Sequence, residues 1–105
     1  MNTIIFAIET SCDETSVAII NDNREIISHI TINQKNHHKF GGIVPEIAAR
    51  SHTQILQSII PQSLKLANLE MKNIDVFCAT CGPGLIGSLL IGSTIAKSLS
   101  IGTNK

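Results

Sequence analysis

Three apolar segments near the start of the chain, separated by short polar stretches, constrain the fold more than any other feature. Ile4 to Ile8 and Ser16 to Ile20 read as strands, and Asn21-Asp22-Asn23 follows as a turn. Glu25 to Ile32 reads as a third strand, in which Ile26, Ser28, Ile30 and Ile32 alternate with Ile27, His29 and Thr31. Because consecutive strands with short joints pair with each other, the sequence predicts an antiparallel meander.

The second half of the chain changes to helical spacing. A helix is predicted from about Pro45, which suits the first helical position. Pro61 lies inside this pattern, so we expect a kink there or a second segment running to about Leu69. Asp75 to Thr80 predicts a short strand, and Leu85 to Ser100 predicts a largely buried helix. The order βββ-α-β-α is typical of an α/β layered sheet in a single domain.

The composition limits the classes of protein to which the chain can belong. Its 105 residues suffice for one small domain, and 43% hydrophobic but only 3% aromatic residues predict an aliphatic core. Eight basic and eight acidic residues cancel, which argues against tight nucleic-acid binding by this segment alone. The uncharged run from Val76 to Ala96 is long enough to cross a bilayer. Since Gly82-Pro83-Gly84 interrupts that run, we expect no membrane span.

The cysteines and histidines favour structural over metal-binding roles. Three cysteines are an odd count in a chain with no secretory signal, so we expect reduced thiols in a cytoplasmic protein. Cys78 and Cys81 have the spacing of half a zinc site, but a full site needs further ligands and no second pair is present. His37 and His38 are neighbours in sequence, and such side chains rarely converge on one ion. We therefore expect no metal bound by this chain alone.

The joint between the first two predicted strands, Thr10 to Thr15, is long, polar and free of glycine. A loop at a sheet end can turn backbone N–H groups and hydroxyls toward a phosphate. The carboxylates of Asp13 and Glu14 would repel a phosphate, but they could hold a cation or its water shell beside one. The alternative interpretation is an acidic turn exposed to solvent.

Gly82-Pro83-Gly84 follows a predicted strand and opens a predicted helix. A phosphate or ribose can approach the backbone closely at such a helix N-terminus. The alternative is a simple strand-to-helix turn, and no Gly-Lys-Ser/Thr follows, which excludes a Walker A loop. Along this helix small residues recur at every fourth position and should let another backbone approach closely: Gly84, Ser88, Gly92, Ala96 and Ser100.

The start of the first predicted helix carries an acid in its first turn. Glu46 is favoured there by the helix dipole, and it stands four residues before Arg50, the spacing of an intrahelical ion pair. Two glycines, Gly41 and Gly42, allow a sharp turn just before it. A capped helix with an ion pair is the alternative to a ligand-binding role for this segment.

Three segments taken together closely resemble the TsaD (also Gcp) family, once labelled O-sialoglycoprotein endopeptidase. They are "IETSCDET" at Ile8 to Thr15, "FGGIVPEIAARSH" at Phe40 to His52 and "GPGLIGSLLIG" at Gly82 to Gly92. The resemblance implies the N-terminal lobe of an actin/Hsp70-like (ASKHA, ribonuclease H-like) fold. It also implies transfer of a threonylcarbamoyl group from threonylcarbamoyl-AMP to N6 of the adenosine adjacent to the anticodon of tRNA.

The resemblance also implies roles for individual residues. Asp13 and Glu14 match acids of the family's loop and are the candidate catalytic residues. Another eight match positions facing the nucleotide cleft: Thr10, Ser11, His37, Glu46, His52, Gly82, Pro83 and Gly84. Cys78 and Cys81 match no required position.

The family's remaining features predict what the complete enzyme would need. The resemblance implies an iron or zinc ion in the cleft, whose ligands lie beyond Lys105, together with a TsaB-like paralogue and a TsaE-like ATPase as partners. We therefore expect residues 1–105 to be part of an N-terminal lobe that lacks the second lobe and is inactive by itself. A non-catalytic gene remnant, or an interaction module that docks the paralogue, is the alternative. The older peptidase label is disfavoured, since the chain has no H-E-x-x-H motif.

Overall fold

A computed structural model, which describes residues 2–34, 41, 42 and 44–105, confirms the predicted meander. Strand β1 covers Ile4–Glu9, β2 covers Glu14–Asn21 and β3 covers Ile26–Asn33. β2 pairs antiparallel with both neighbours, so that Ala18 stands opposite Ala7 on one side and His29 on the other. A register shift follows Ile19, where β3 begins.

The fourth strand returns to the sheet beside the first. Strand β4, Val76–Ala79, pairs parallel with β1 and gives the strand order β3-β2-β1-β4. Helix α1, Pro45–Ala67, lies between β3 and β4 in sequence, and helix α2, Ile86–Thr103, follows β4. A turn of 3-10 helix at Met71–Asn73, which the sequence pattern did not predict, leads into β4.

Both helices cover the same face of the sheet. Alternate side chains of β1 and β2, including Phe6, Ile8 and Val17, are buried on this face in one cluster with Leu56 of α1 and Ala96 of α2. The core is aliphatic apart from Phe6 and the adjoining Phe77, as the composition predicts.

The helix boundaries differ from the prediction in two places. Helix α1 continues through Pro61 and ends at Ala67, where Asn68 adopts a left-handed conformation and closes the helix with its backbone N–H. Because Pro61 is exposed, its missing hydrogen bond falls on the solvent side of the helix, where water can replace it. Helix α2 extends past Ser100 to Thr103 and ends at a second left-handed residue, Asn104.

Within the part of the chain that the structure describes, no helix is long and apolar enough to cross a membrane. The uncharged run from Val76 to Ala96 is interrupted as predicted: it is divided between β4, the turn around Pro83 and α2. The edge of β4 that faces away from β1 has no neighbouring strand in the described sheet.

Candidate functional site

The two motifs that could bind a ligand meet at one end of the sheet. The loop from Thr10 to Asp13 leaves β1 beside the point where β4 ends, because these two strands run parallel. The backbone N–H of Leu85 donates to the carbonyl of Ser11 at 2.8 Å. A Cβ added at Gly84 would lie 2.8 Å from the Ser11 Cβ, so only glycine permits this approach. The predicted loop and the glycine turn therefore form one site.

Thr10 joins the loop to the middle of α2. Its side chain is fully buried, and its hydroxyl donates to the Ser88 carbonyl at 2.7 Å and accepts from the Gly92 N–H at 3.1 Å. Ser88 and Gly92 are the residues that an α-helix ordinarily joins to each other by a backbone hydrogen bond. In this structure Thr10 therefore lies in the packing beneath the loop rather than on its ligand-facing surface.

Glu9 is a site residue that the sequence analysis missed. Its carboxylate accepts hydrogen bonds from the backbone N–H of Ser11 and from the Thr80 hydroxyl, the latter at 2.9 Å. Burial raises the pKa of Glu9, but these hydrogen bonds outweigh it and hold the pKa below its usual value. Glu9 is thus a carboxylate that connects the ends of β1 and β4. An acid as the last residue of a strand that leads into a polar loop was the available signal.

The two predicted catalytic acids lie beside Glu9. A depression of about 320 Å³ is lined by Glu9 and by the four consecutive residues Ser11, Cys12, Asp13 and Glu14. Asp13 is half-buried, whereas Glu14 is exposed as the first residue of β2. Three carboxyl groups around one depression favour an amine, a cation or a transferable proton over a phosphate.

His52 connects helix α1 to the same loop. The side chain is fully buried; its Nε2 lies 2.7 Å from the Cys12 carbonyl oxygen and its Nδ1 lies 2.7 Å from the Thr15 hydroxyl. The family resemblance predicts that His52 faces the nucleotide cleft. In the structure it stands behind the loop, between the loop and α1.

The remaining predicted residues are distributed around this site. Glu46 forms the expected ion pair with Arg50 at 2.6 Å, and both side chains are about three-quarters exposed, at 74% and 76%. Gly82 and Pro83 are exposed in the turn before α2. His37 lies outside the described residues.

The cysteines show no metal-binding arrangement within the described ranges. Cys78 and Cys81 are free thiols and exposed, and the partial burial that Cys78 retains raises the pKa of its thiol. No group of three or more His, Cys, Asp or Glu side chains is arranged to hold a metal ion among residues 2–34, 41, 42 and 44–105. The adjacent His37 and His38 lie outside those ranges, so the expectation that they do not converge on one ion stays a prediction.

The chain is similar to a known group of tRNA-modifying enzymes. The family model for TsaD, tRNA N6-adenosine threonylcarbamoyltransferase, matches residues 25–105. A protein of that name from Trichodesmium erythraeum is 53% identical over 100 residues, which are 94% of this chain and 30% of the relative. The protein of the same name from Ehrlichia canis is 46% identical over 102 residues, 97% of this chain and 29% of the relative.

Solved structures share the fold at lower identity. YeaZ from Pseudomonas aeruginosa superposes with a TM-score of 0.70 and 17% identity over 98% of this chain and 40% of that protein. A second Pseudomonas aeruginosa structure, described by its similarity to peptidase YEAZ, has a TM-score of 0.71 and 19% identity. These likenesses confirm the predicted actin-like (ASKHA) α/β fold, and the chain spans about 30% of the length of the matched relatives. On the match of its sequence to the family model and to these relatives, the chain belongs to the TsaD family of tRNA N6-adenosine threonylcarbamoyltransferases.

Proposed function

We propose that this chain forms the N-terminal part of an enzyme that transfers threonylcarbamoyl from threonylcarbamoyl-AMP to N6 of the adenosine beside the tRNA anticodon. The observation that carries the proposal is the placement of Asp13 and Glu14. They line one depression, on a loop that hydrogen-bonds to both helices and touches the glycine turn at the start of α2. Family membership supplies the reaction, and this geometry supplies the residues.

The chemistry of the transfer fits a site of this charge. The exocyclic amine of the adenosine attacks the carbamoyl carbonyl carbon, the new N–C bond forms, AMP leaves with its phosphate, and the amine loses a proton. A carboxylate near the amine orients it and accepts that proton. We assign orientation of the amine and acceptance of its proton to Asp13 and Glu14 together.

The leaving phosphate needs a different environment. The start of helix α2 carries no side-chain cap, so its first-turn amides can donate to an anion. Gly84 brings this helix start against Ser11. The loop therefore provides negative charge, which suits the amine, and the neighbouring helix start provides N–H donors, which suit the phosphate.

A metal is assigned no part in this step. The family resemblance implies iron or zinc in the complete enzyme, but the described residues supply no cluster of ligands for either. The role proposed here for Asp13 and Glu14 rests on their carboxylates alone. A TsaE-like ATPase as partner and a cytoplasmic location, where tRNA is modified, belong to the same proposal.

The test uses a chimera in which residues 1–105 replace the matching segment of the Trichodesmium erythraeum relative. Asp13→Asn and Glu14→Gln should each lower threonylcarbamoyl transfer to tRNA by at least tenfold, since a general base typically contributes 10²–10⁴-fold. Asp13→Asn should change the free energy of unfolding by less than about 0.5 kcal/mol, as surface substitutions usually do. Asp22→Asn, in the exposed turn at the opposite end of β2, is the matched control and should leave transfer unchanged. Normal transfer by both loop variants would contradict the proposal.

The alternative function, docking of a TsaB-like paralogue, is supported by the outer face of α2. Ile86, Leu90 and Ile101 are 80%, 58% and 81% exposed, and Lys97 is the single charged residue of this helix. An exposed apolar stripe of this kind marks an interaction surface. Leu90→Glu should abolish co-elution with the paralogue, whereas Ile26→Glu, at an exposed apolar position on β3, should not. Equal binding by both variants would exclude this face.

A further inference from the structure

His52 reaches from α1 to the peptide group that carries Asp13. Its Nε2 lies 2.7 Å from the Cys12 carbonyl oxygen. That carbonyl belongs to the planar unit that also contains the nitrogen and Cα of Asp13. Holding the carbonyl therefore fixes the position from which the Asp13 side chain starts.

The hydrogen bonds around His52 define its tautomer. A carbonyl oxygen only accepts, so Nε2 carries the proton toward Cys12. At the other nitrogen, the Thr15 hydroxyl lies 2.7 Å from Nδ1 and the Gln34 side-chain amide lies 3.3 Å from it. The Gln34 Nε2 lies almost as near the other ring nitrogen, at 3.5 Å, so it packs against the ring and does not distinguish the two nitrogens. The Thr15 hydroxyl can donate to an unprotonated Nδ1. The ring is thus oriented by Thr15 while it donates to Cys12.

The second peptide group of Asp13 is held as well. The backbone N–H of Gln34 donates to the Asp13 carbonyl at 3.1 Å. The peptide groups on both sides of the Asp13 Cα are therefore bonded to elements beneath the loop, and its side chain alone remains free to turn within the depression. Of the two anchors, the bond to the Cys12 carbonyl comes from a single side chain on α1, which makes it testable by substitution.

We propose that His52 is a positioning residue: as the Nε2–H tautomer it holds the Cys12–Asp13 peptide group so that the Asp13 carboxylate points at the reacting amine. The proposal rests on the proposed transfer for its effect on rate, but the hold on the loop is a property of this chain alone. His52 touches no substrate in this account. A misplacement of the acid by about 1 Å is enough to lower the rate on the order of a hundredfold.

Two substitutions separate this role from simple packing. In His52→Gln the side-chain NH2 nitrogen is separated from the Cα by the same number of covalent bonds as the Nε2 of histidine. This nitrogen can therefore still donate to the Cys12 carbonyl. His52→Asn keeps an acceptor at the position of Nδ1 but cannot reach Cys12. The same pair at His29, an exposed residue of β3 on the face of the sheet without helices, provides the matched control.

The first readout is amide hydrogen exchange of this chain. The backbone N–H of Leu85 donates to the Ser11 carbonyl, and no hydrogen bond between Leu85 and His52 is seen among the described residues. Its exchange rate therefore reports whether the loop keeps its position. Relative to wild type, and with the amides of β1 and β2 as internal reference, we expect exchange at Leu85 to accelerate at least tenfold in His52→Asn. In His52→Gln it should stay within threefold of the wild-type rate. Equal exchange at Leu85 in both variants would overturn the proposal. Should His52→Asn fail to fold, ¹⁵N spectra of the wild-type imidazole decide: a protonated Nε2 supports the proposal and an unprotonated Nε2 refutes it.

The second readout is transfer by the chimera. We expect kcat to fall tenfold to a hundredfold in His52→Asn, with KM nearly unchanged, and to recover substantially in His52→Gln, while both His29 variants match wild type. If the wild-type chimera is inactive, the proposed function fails and the exchange data still decide the hold on the loop. If it is active and the two His52 variants have the same kcat, the positioning role is refuted and the proposed function stands.

Discussion

Replacing Gly92 by alanine tests the contact between the loop and α2. A Cβ at this position would lie 2.5 Å from the Thr10 hydroxyl oxygen and 3.4 Å from the Ile8 Cγ2. The Thr10 hydroxyl has nowhere to move without losing its bonds to Ser88 and Gly92, because its side chain is fully buried. The helix must shift away from β1, and this shift also takes the Ser88 carbonyl and the Gly92 N–H away from the hydroxyl.

The expected magnitude combines three effects. Overpacking a well-packed core costs about 1–3 kcal/mol, and a buried hydroxyl without its partners costs about another 1–3 kcal/mol. The better helix propensity of alanine returns about 1 kcal/mol. Gly92→Ala should therefore destabilise the fold by about 3 kcal/mol. At Gly87, in the same helix, an added Cβ would meet the nearest atom, the Ala49 Cβ, at an ordinary 3.8 Å, so Gly87→Ala should stabilise by about 0.5–1 kcal/mol.

Urea unfolding followed by far-ultraviolet circular dichroism measures both, since the chain has no Trp or Tyr for fluorescence. The two alanine variants should shift the midpoint in opposite directions. In the double variant Thr10→Ala/Gly92→Ala the close contact is absent, so its cost should be smaller than the sum of the single costs. If Gly92→Ala raised the midpoint as Gly87→Ala does, the close approach of Thr10 to α2 would be refuted.

Three further predictions concern charge and metal. Hydrogen bonds hold the pKa of Glu9 below its usual value, so the ionised carboxylate stabilises the fold at any pH above the unfolded-state pKa. This contribution is lost as pH falls through the folded-state pKa. The difference in unfolding free energy between wild type and Glu9→Gln should therefore shrink below about pH 5, and a constant difference would contradict this. Glu46→Gln should change the free energy of unfolding by less than about 0.5 kcal/mol, since exposed ion pairs such as that with Arg50 contribute little; a change above about 1 kcal/mol on urea titration would disprove it. Elemental analysis of the untagged chain should find no stoichiometric iron or zinc, and metal that disappears in Cys78→Ser/Cys81→Ser would show that our interpretation of these cysteines is wrong.

The features that follow from local pattern were predictable from the sequence. The pattern from Glu25 to Ile32 predicts a strand, and it appears as β3, Ile26–Asn33. Ser28 is buried and Ile30 packs against the core, whereas Ile26 and Ile32 are exposed. The stripe of small residues along α2 and the turn before it predicts a close backbone approach, which the structure has at Gly84, beside the Ser11 backbone. At Gly92 the close neighbours are instead side-chain atoms of Thr10 and Ile8. The spacing of Glu46 and Arg50 predicted their ion pair.

Features that depend on distant partners could not be derived in this way. Thr10 was expected on the ligand side, but a threonine at the end of a strand gives no indication that a helix 78 residues later will occupy its hydroxyl. Glu9 was passed over because its partner Thr80 is 71 residues away. The continuity of α1 through Pro61 depends on which side of the helix faces solvent, and that is decided by tertiary packing.

The central claim is that these residues belong to a working threonylcarbamoyl transferase. The most direct measurement is nucleoside mass spectrometry of bulk tRNA from a bacterium in which residues 1–105 replace the matching segment of its own TsaD family protein. We predict that N6-threonylcarbamoyladenosine persists at wild-type levels, and that Asp13→Asn lowers it at least tenfold while the protein accumulates normally. Loss of the modified nucleoside with the unmutated segment, in cells where the fusion protein is abundant and soluble, would contradict the claim.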